Sequence, residues 1–203
     1  MFKARFLAFG LAASLAAASP TLAQAPAPAR VRGTINAIDA GELQVTTRSG
    51  DKVTLKLPAD AVVTVIEPIA IDAIKPGSFI GTAARAEPDG TLRALEVQVF
   101  PESMRGVGEG HRPWDLGPGS TMTNGTVGTL EKLTDGRTLT LDYKGGEKTV
   151  VVPAGAPIIT YEPGSTAALT PGAHVIVTAT RNPDETLTAV RVGVGKDGLV
   201  PPM

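Results

Sequence analysis

The amino-acid sequence predicts an all-β chain of two small β-barrels in tandem, related by internal duplication and joined by a long strap outside the repeat. Three observations carry this expectation. Residues 58–100 laid over residues 153–195 match at 16 of 43 positions with a constant shift of 95 and no gap. The matches include Glu67-Pro68 on Glu162-Pro163 and Pro76-Gly77 on Pro171-Gly172, and such self-similarity marks a repeated structural unit. Apolar and polar residues alternate with the period of two that a half-buried strand requires, in short runs between turn signals.

The N-terminus reads as an export signal rather than as structure. Lys3 and Arg5 form a basic start, residues 6–18 are apolar or small, and Thr21-Leu22-Ala23 offers small residues for cleavage near Ala23. This is the pattern of a secretory signal peptide over 1–23, and it places the chain in the periplasm or outside the cell. No later run reaches the roughly 18 apolar residues of a membrane-spanning helix. Without residues 1–23 the charge is 17 basic minus 20 acidic, or −3, which gives no electrostatic footprint for nucleic acid. The chain has no Cys, so disulfides, thiolate chemistry and Cys-based metal sites are excluded.

Residues 24–30 are a Pro/Ala leader expected to be disordered. In the first copy, 31–39 and 43–47 form strands around a turn at Gly41, and Ser49-Gly50-Asp51 signals a hairpin into 53–57. A further apolar run follows at 62–66, then one helical turn at 71–74 before Lys75-Pro76-Gly77. The copy closes with a hairpin of 79–87 and 92–100 across Pro88-Asp89-Gly90. The second copy repeats the order in 125–133, 139–143, 148–152, 158–161, 173–181 and 186–194. In the last strand Leu92 and Ala94 share one face, and Leu95, Val97 and Val99 the other. Leu187 and Ala189, then Val190, Val192 and Val194, show the same slip. A register shift inside one strand is the mark of a β-bulge, the device that bends strands around small barrels. Short strands, a bulged closing strand and a helical turn fit an OB-like barrel, with half of a β-sandwich as the second choice. The expected units are 31–100 and 124–195, the strap 101–123 and a tail 196–203.

Gly33-Thr34-Ile35, Lys75-Pro76-Gly77 and Asp89-Gly90-Thr91-Leu92-Arg93-Ala94 also carry a resemblance. The chain resembles a family of uncharacterised OB-like domains found in exported bacterial proteins, often in tandem. The resemblance covers residues 31–100 and 124–195 and rests on turn and strand signals. The second copy departs from it at Glu185, where the first has Gly90. It implies a fold and an export route and supplies no active site.

Chemistry specific to this chain is therefore expected in the strap. Residues 101–123 hold the only Trp, one of two His and two of four Met, and a long connection of this kind is functional or a linker. Trp114 is expected to dock at the seam between the barrels. The leading function is a non-enzymatic binding or interaction module of the cell envelope, taking a protein or small ligand through Met104, Arg105, Glu109, His111, Trp114, Asp115 and Met122, with no cofactor. The alternative is a periplasmic site for Cu, Ni or Zn using His111 with Glu109 and Asp115, since imidazole and carboxylates suit those ions. Gly106-Val107-Gly108-Glu109-Gly110 lacks the Lys-Ser/Thr and helix of a phosphate loop. No Ser lies in a nucleophile elbow, and the two His residues stand near no Ser-Asp pair. Glu67 and Glu162 would form a carboxylate pair only if a two-fold axis made them face each other. An OB-like barrel can bind single-stranded nucleic acid, but few aromatics and a slightly acidic chain argue against it.

Overall fold

The computed structural model describes residues 28–202 of the chain. The expected signal peptide and residues 24–27 of the leader lie outside the described residues. Among the described residues thirteen strands follow in order: β1 (Ala29–Asp39), β2 (Glu42–Thr47), β3 (Lys52–Lys56), β4 (Val62–Pro68), β5 (Phe79–Ala86), β6 (Leu92–Val99) and β7 (Gly110–Pro113). Then come β8 (Ser120–Leu133), β9 (Gly136–Tyr143), β10 (Gly146–Pro153), β11 (Ile158–Pro163), β12 (His174–Arg181) and β13 (Leu187–Gly195). Among the described residues the helical pieces are short 3-10 turns, and no helix is long and apolar enough to cross a membrane.

The strands close two five-membered rings, and each ring mixes the two copies. One ring runs β1-β2-β3-β13-β12 and back to β1. The other runs β8-β9-β10-β6-β5 and back to β8. The barrel units are therefore not 31–100 and 124–195: the closing hairpins have changed places. Between the rings β4 and β11 pair antiparallel, β4 runs parallel to β13, and β11 runs parallel to β6. The chain crosses at the 3-10 turn after β4. Ile74 is buried in the β5-β6-β8-β9-β10 core, with Ile69 and Ile71 packed against it. Leu169, at the same repeat position as Ile74, is buried in the opposite core. Each burial contributes about 1.5–3 kcal/mol, so the turn anchors the following hairpin to the ring its own copy did not start.

The closing strands carry the expected bulges, with a consequence for which way they face. The register of β5 on β6 shifts between Ala83 and Ala84, which pair with Glu96 and Ala94. That of β12 on β13 shifts between Thr178 and Ala179, which pair with Arg191 and Ala189. Leu95 and Val190 are the extra residues. The bulge lets Leu92, Ala94, Val97 and Val99 all serve one core; the two apolar sets do not face opposite ways. The residues between them, Glu96 and Gln98 in β6 and Arg191 and Gly193 in β13, are left to the seam.

Gly33 and Gly125 are equivalent, paired with Val175 and Ile80 of the exchanged hairpins. A Cβ would lie 2.0 Å from the Thr46 carbonyl oxygen at Gly33 and 2.5 Å from that of Asp142 at Gly125. This close backbone approach is what the Gly-Thr signal records. Ala29 and Arg30 extend β1 onto β12, so the last leader residues are sheet rather than disordered chain. The tail packs too: Leu199 joins the seam cluster, and the Pro201 carbonyl accepts a hydrogen bond from Arg48.

Candidate functional site

Strands alternate their side chains between faces, so the central β6-β11-β4-β13 layer offers one face to the ring cores and the other to the seam. On the seam face a third apolar cluster forms from Ile66, Ala83, Met122, Ile159 and Tyr161. The strap covers it. Within 101–123, a 3-10 turn spans Glu102–Met104, β7 pairs antiparallel with the start of β8, and 120–123 already belong to β8. Met104, Trp114 and Leu116 of the strap pack against the cluster.

Trp114 sits just past β7, where its backbone N–H donates to the Ser120 carbonyl at 2.8 Å and the Ser120 hydroxyl returns a bond of 2.9 Å to the Trp114 carbonyl. This small loop fixes the indole over the seam. The guanidinium of Arg30 lies 3.9 Å from its ring centroid and that of Arg112 5.4 Å, both within cation–π range. Asp115 accepts two hydrogen bonds from Arg32, at 3.0 and 2.8 Å, and stands 3.7 Å from Arg30. Burial pushes the Asp115 carboxyl up, but the Arg32 hydrogen bonds and the two guanidinium charges outweigh it and hold it below the ordinary range. Burial lowers the Arg30 and Arg112 guanidiniums, and the charge of Arg30 adds to the effect on Arg112.

Between strap and sheet lies a cleft of about 180 Å³. Phe100, Met104, Met122, Trp114 and Ile176 form its apolar wall; Thr64, Gln98, Tyr161 and Thr178 are its polar members; Arg30, Arg112 and Arg191 supply charge. Gly193 stands where the first copy has Gln98, and a Cβ there would meet Ile66 Cδ1 at 2.8 Å. Two buried polar atoms of the lining, Thr64 Oγ1 and Trp114 Nε1, have no hydrogen-bond partner. Such orphans are costly and call for an explanation in the site.

Beneath the cleft a buried polar chain runs from β6 to β11. The Tyr161 hydroxyl donates to Gln98 Oε1, and Gln98 Nε2 donates to Glu96 Oε1 at 3.0 Å. Glu96 is 1% exposed. Its burial pushes the carboxyl up to about 7, against the Gln98 hydrogen bond and the charges of Arg32 and Arg48. Burial, and then the Glu96 charge, pushes the Tyr161 phenol up.

Of the residues expected to form the site, Met104, Trp114 and Met122 converge on the cleft, with Asp115 tied to Arg32 beside it. Arg105 does not join them: it pairs with Glu102 and donates to the Gly77 carbonyl. Glu109 accepts from the Lys144 backbone N–H at 2.9 Å, and His111 Nδ1 lies 2.8 Å from the Thr123 hydroxyl. Burial, then Lys148 and Arg112, lowers the His111 imidazole. The proposed metal ligands Glu109, His111 and Asp115 thus turn to three different partners. Among the described residues no group of three or more His, Asp or Glu is placed to hold a metal. Glu67 and Glu162 do not face each other either. They pair with Thr160 and Val65, and Glu67 binds Lys196 at 2.7 Å.

The sequence reading missed Arg30, Thr64, Glu96, Gln98, Tyr161 and Arg191. Four of them sit at polar strand positions that look solvated when a barrel is read alone. The available signal was divergence between the copies: Glu96 is Arg191 in the second copy, and Gln98 is Gly193.

Residues 127–193 match the family described as Domain of unknown function (DUF5666). The match spans most of the second copy, from β8 to β13. No curated protein and no solved structure matches the chain.

Proposed function

We propose that this chain is an exported, non-enzymatic binding module whose ligand enters the seam cleft under the strap. The two rings are read as OB-like barrels serving as a rigid frame, and the residues 1–23 pattern supports export. The observation that carries the reading is the pair of orphaned polar groups, Thr64 Oγ1 and Trp114 Nε1, in the lining of one small cleft. A concave, mainly apolar site with a few converging polar groups is the form that ligand sites take. The test is native mass spectrometry of the purified chain after incubation with a small-molecule extract of cell envelopes. A Thr178→Phe variant, which fills the cleft, serves as control. A retained adduct on the parent that Thr178→Phe loses is the expected result. No adduct, or an equal one on both proteins, would overturn the reading.

A further inference from the structure

Three arginines line the cleft and no carboxylate does. Asp115, beside the cleft, is already engaged by Arg32 with both oxygens, and Glu96, behind Gln98, is held near neutrality by burial. Arg112 gives Nη1 to the Gly108 carbonyl at 2.7 Å, and Arg30 reaches Asp115 only at 3.7 Å. Arg191 pairs through its backbone with Thr178 and Val62; among the described residues no hydrogen bond or ion pair engages its guanidinium, and it occupies the repeat position of the buried acid Glu96. Like charges gathered at an apolar wall repel each other, and an anion placed among them relieves that repulsion. The guanidinium fork matches carboxylate and phosphate oxygens alike. Thr64 Oγ1, on a residue 7% exposed, and Trp114 Nε1 add two unpartnered donors.

Size narrows the rest of the ligand. An apolar cavity of about 150 Å³ holds a benzene ring, so a cleft of about 180 Å³ takes one ring or a short alkyl chain. We infer that the cleft binds a small organic anion: a carboxylate or phosphate-ester head on Arg191 and Arg30, with a short apolar body against Trp114, Met104 and Met122. This rests on the cleft being the binding site.

Hexanoate, hexyl phosphate and hexanol test it, each titrated into the full chain while the emission of Trp114, the single tryptophan, is followed. At least one anion is expected to bind about tenfold or more tightly than hexanol, in line with charge-assisted hydrogen bonds. Whichever head binds better identifies its source, and either preference supports the proposal. Arg191→Met should bring the anion down to the affinity of hexanol with the circular dichroism spectrum unchanged, and Thr64→Val should weaken it less. Hexanol binding as tightly as both anions overturns the anion assignment and leaves the cleft as the binding site. Unchanged affinity in Arg191→Met, with the fold intact, also overturns it. Silence from all three probes overturns the ligand class, while adducts lost in Thr178→Phe would still decide for or against the cleft.

Discussion

Ile66 and Tyr161 lie directly opposite each other in the β4–β11 pairing, and they are the same position of the two copies. The strand pair is thus centred on the relationship between the repeats. The flanking pairs obey it too: Val65 opposite Glu162 and Glu67 opposite Thr160 are exchanged by the same operation. The seam is where the copies meet themselves, so any difference between them there is unmatched. Ile66 is apolar where Tyr161 carries a hydroxyl into the buried chain to Gln98 and Glu96.

Glu96→Gln is expected to flatten the dependence of stability on pH. The carboxyl titrates near 7 in the folded chain against an ordinary value of 4.5. Across that window the folded chain holds a proton the unfolded chain has released, so stability falls as pH rises through it. The full contribution is present below the window, and roughly 3 kcal/mol is lost above it, at about 1.4 kcal/mol per pH unit. Urea unfolding at pH 5 and pH 8 checks this. Equal slopes for parent and variant would mean that Glu96 ionises as an ordinary surface carboxyl does.

Gly33→Ala and Gly125→Ala should each destabilise the chain by about 1–3 kcal/mol, the usual cost of overpacking. The new Cβ meets backbone, which cannot swing aside. Thermal unfolding measures it, and an unchanged melting temperature in both would refute the close approach.

Glu185→Gly should stabilise. Glu185 keeps the left-handed conformation of its counterpart Gly90, with φ of 64° against 85°. A side chain there costs about 1 kcal/mol, and the exposed Arg181–Glu185 pair lost with it is worth little. The expected gain is about 0.5–1 kcal/mol in denaturant unfolding; a loss would show that the ion pair outweighs the backbone strain.

An isolated first copy, residues 28–100, should form a homodimer. In the intact chain its opening strands close with the other copy's hairpin, so two fragments restore both rings by exchanging hairpins. Light scattering after size exclusion gives the mass. A folded monomer would show that the hairpin also closes on its own copy.

Zn(II), Ni(II) and Cu(II) should leave the melting temperature unchanged, because Glu109, His111 and Asp115 are held by separate partners. A ligand that binds only the folded state must raise it. A rise that disappears in His111→Ala would restore the metal site.

By itself the sequence determined the local structure within the repeats: strand positions, turns and the bulges at Leu95 and Val190, with the strap as the segment outside them. These follow from side-chain period and turn chemistry, which act over a few residues. It also singled out Trp114, because one large aromatic in a glycine-rich connection needs somewhere to pack. Which hairpin closes which ring was decided only in three dimensions. Pairing within a copy or between copies uses the same strand faces and satisfies the same local pattern. Ile74 and Leu169 mark the outcome, each buried in the core that its own copy did not start. That crossing turns Glu96, Gln98 and Arg191 from an apparently solvated surface toward a seam. The repeat, read along the chain, looked empty of chemistry; folded on itself, it sets Arg191 in the wall of the cleft and buries Glu96, from the same repeat position, behind the lining residue Gln98.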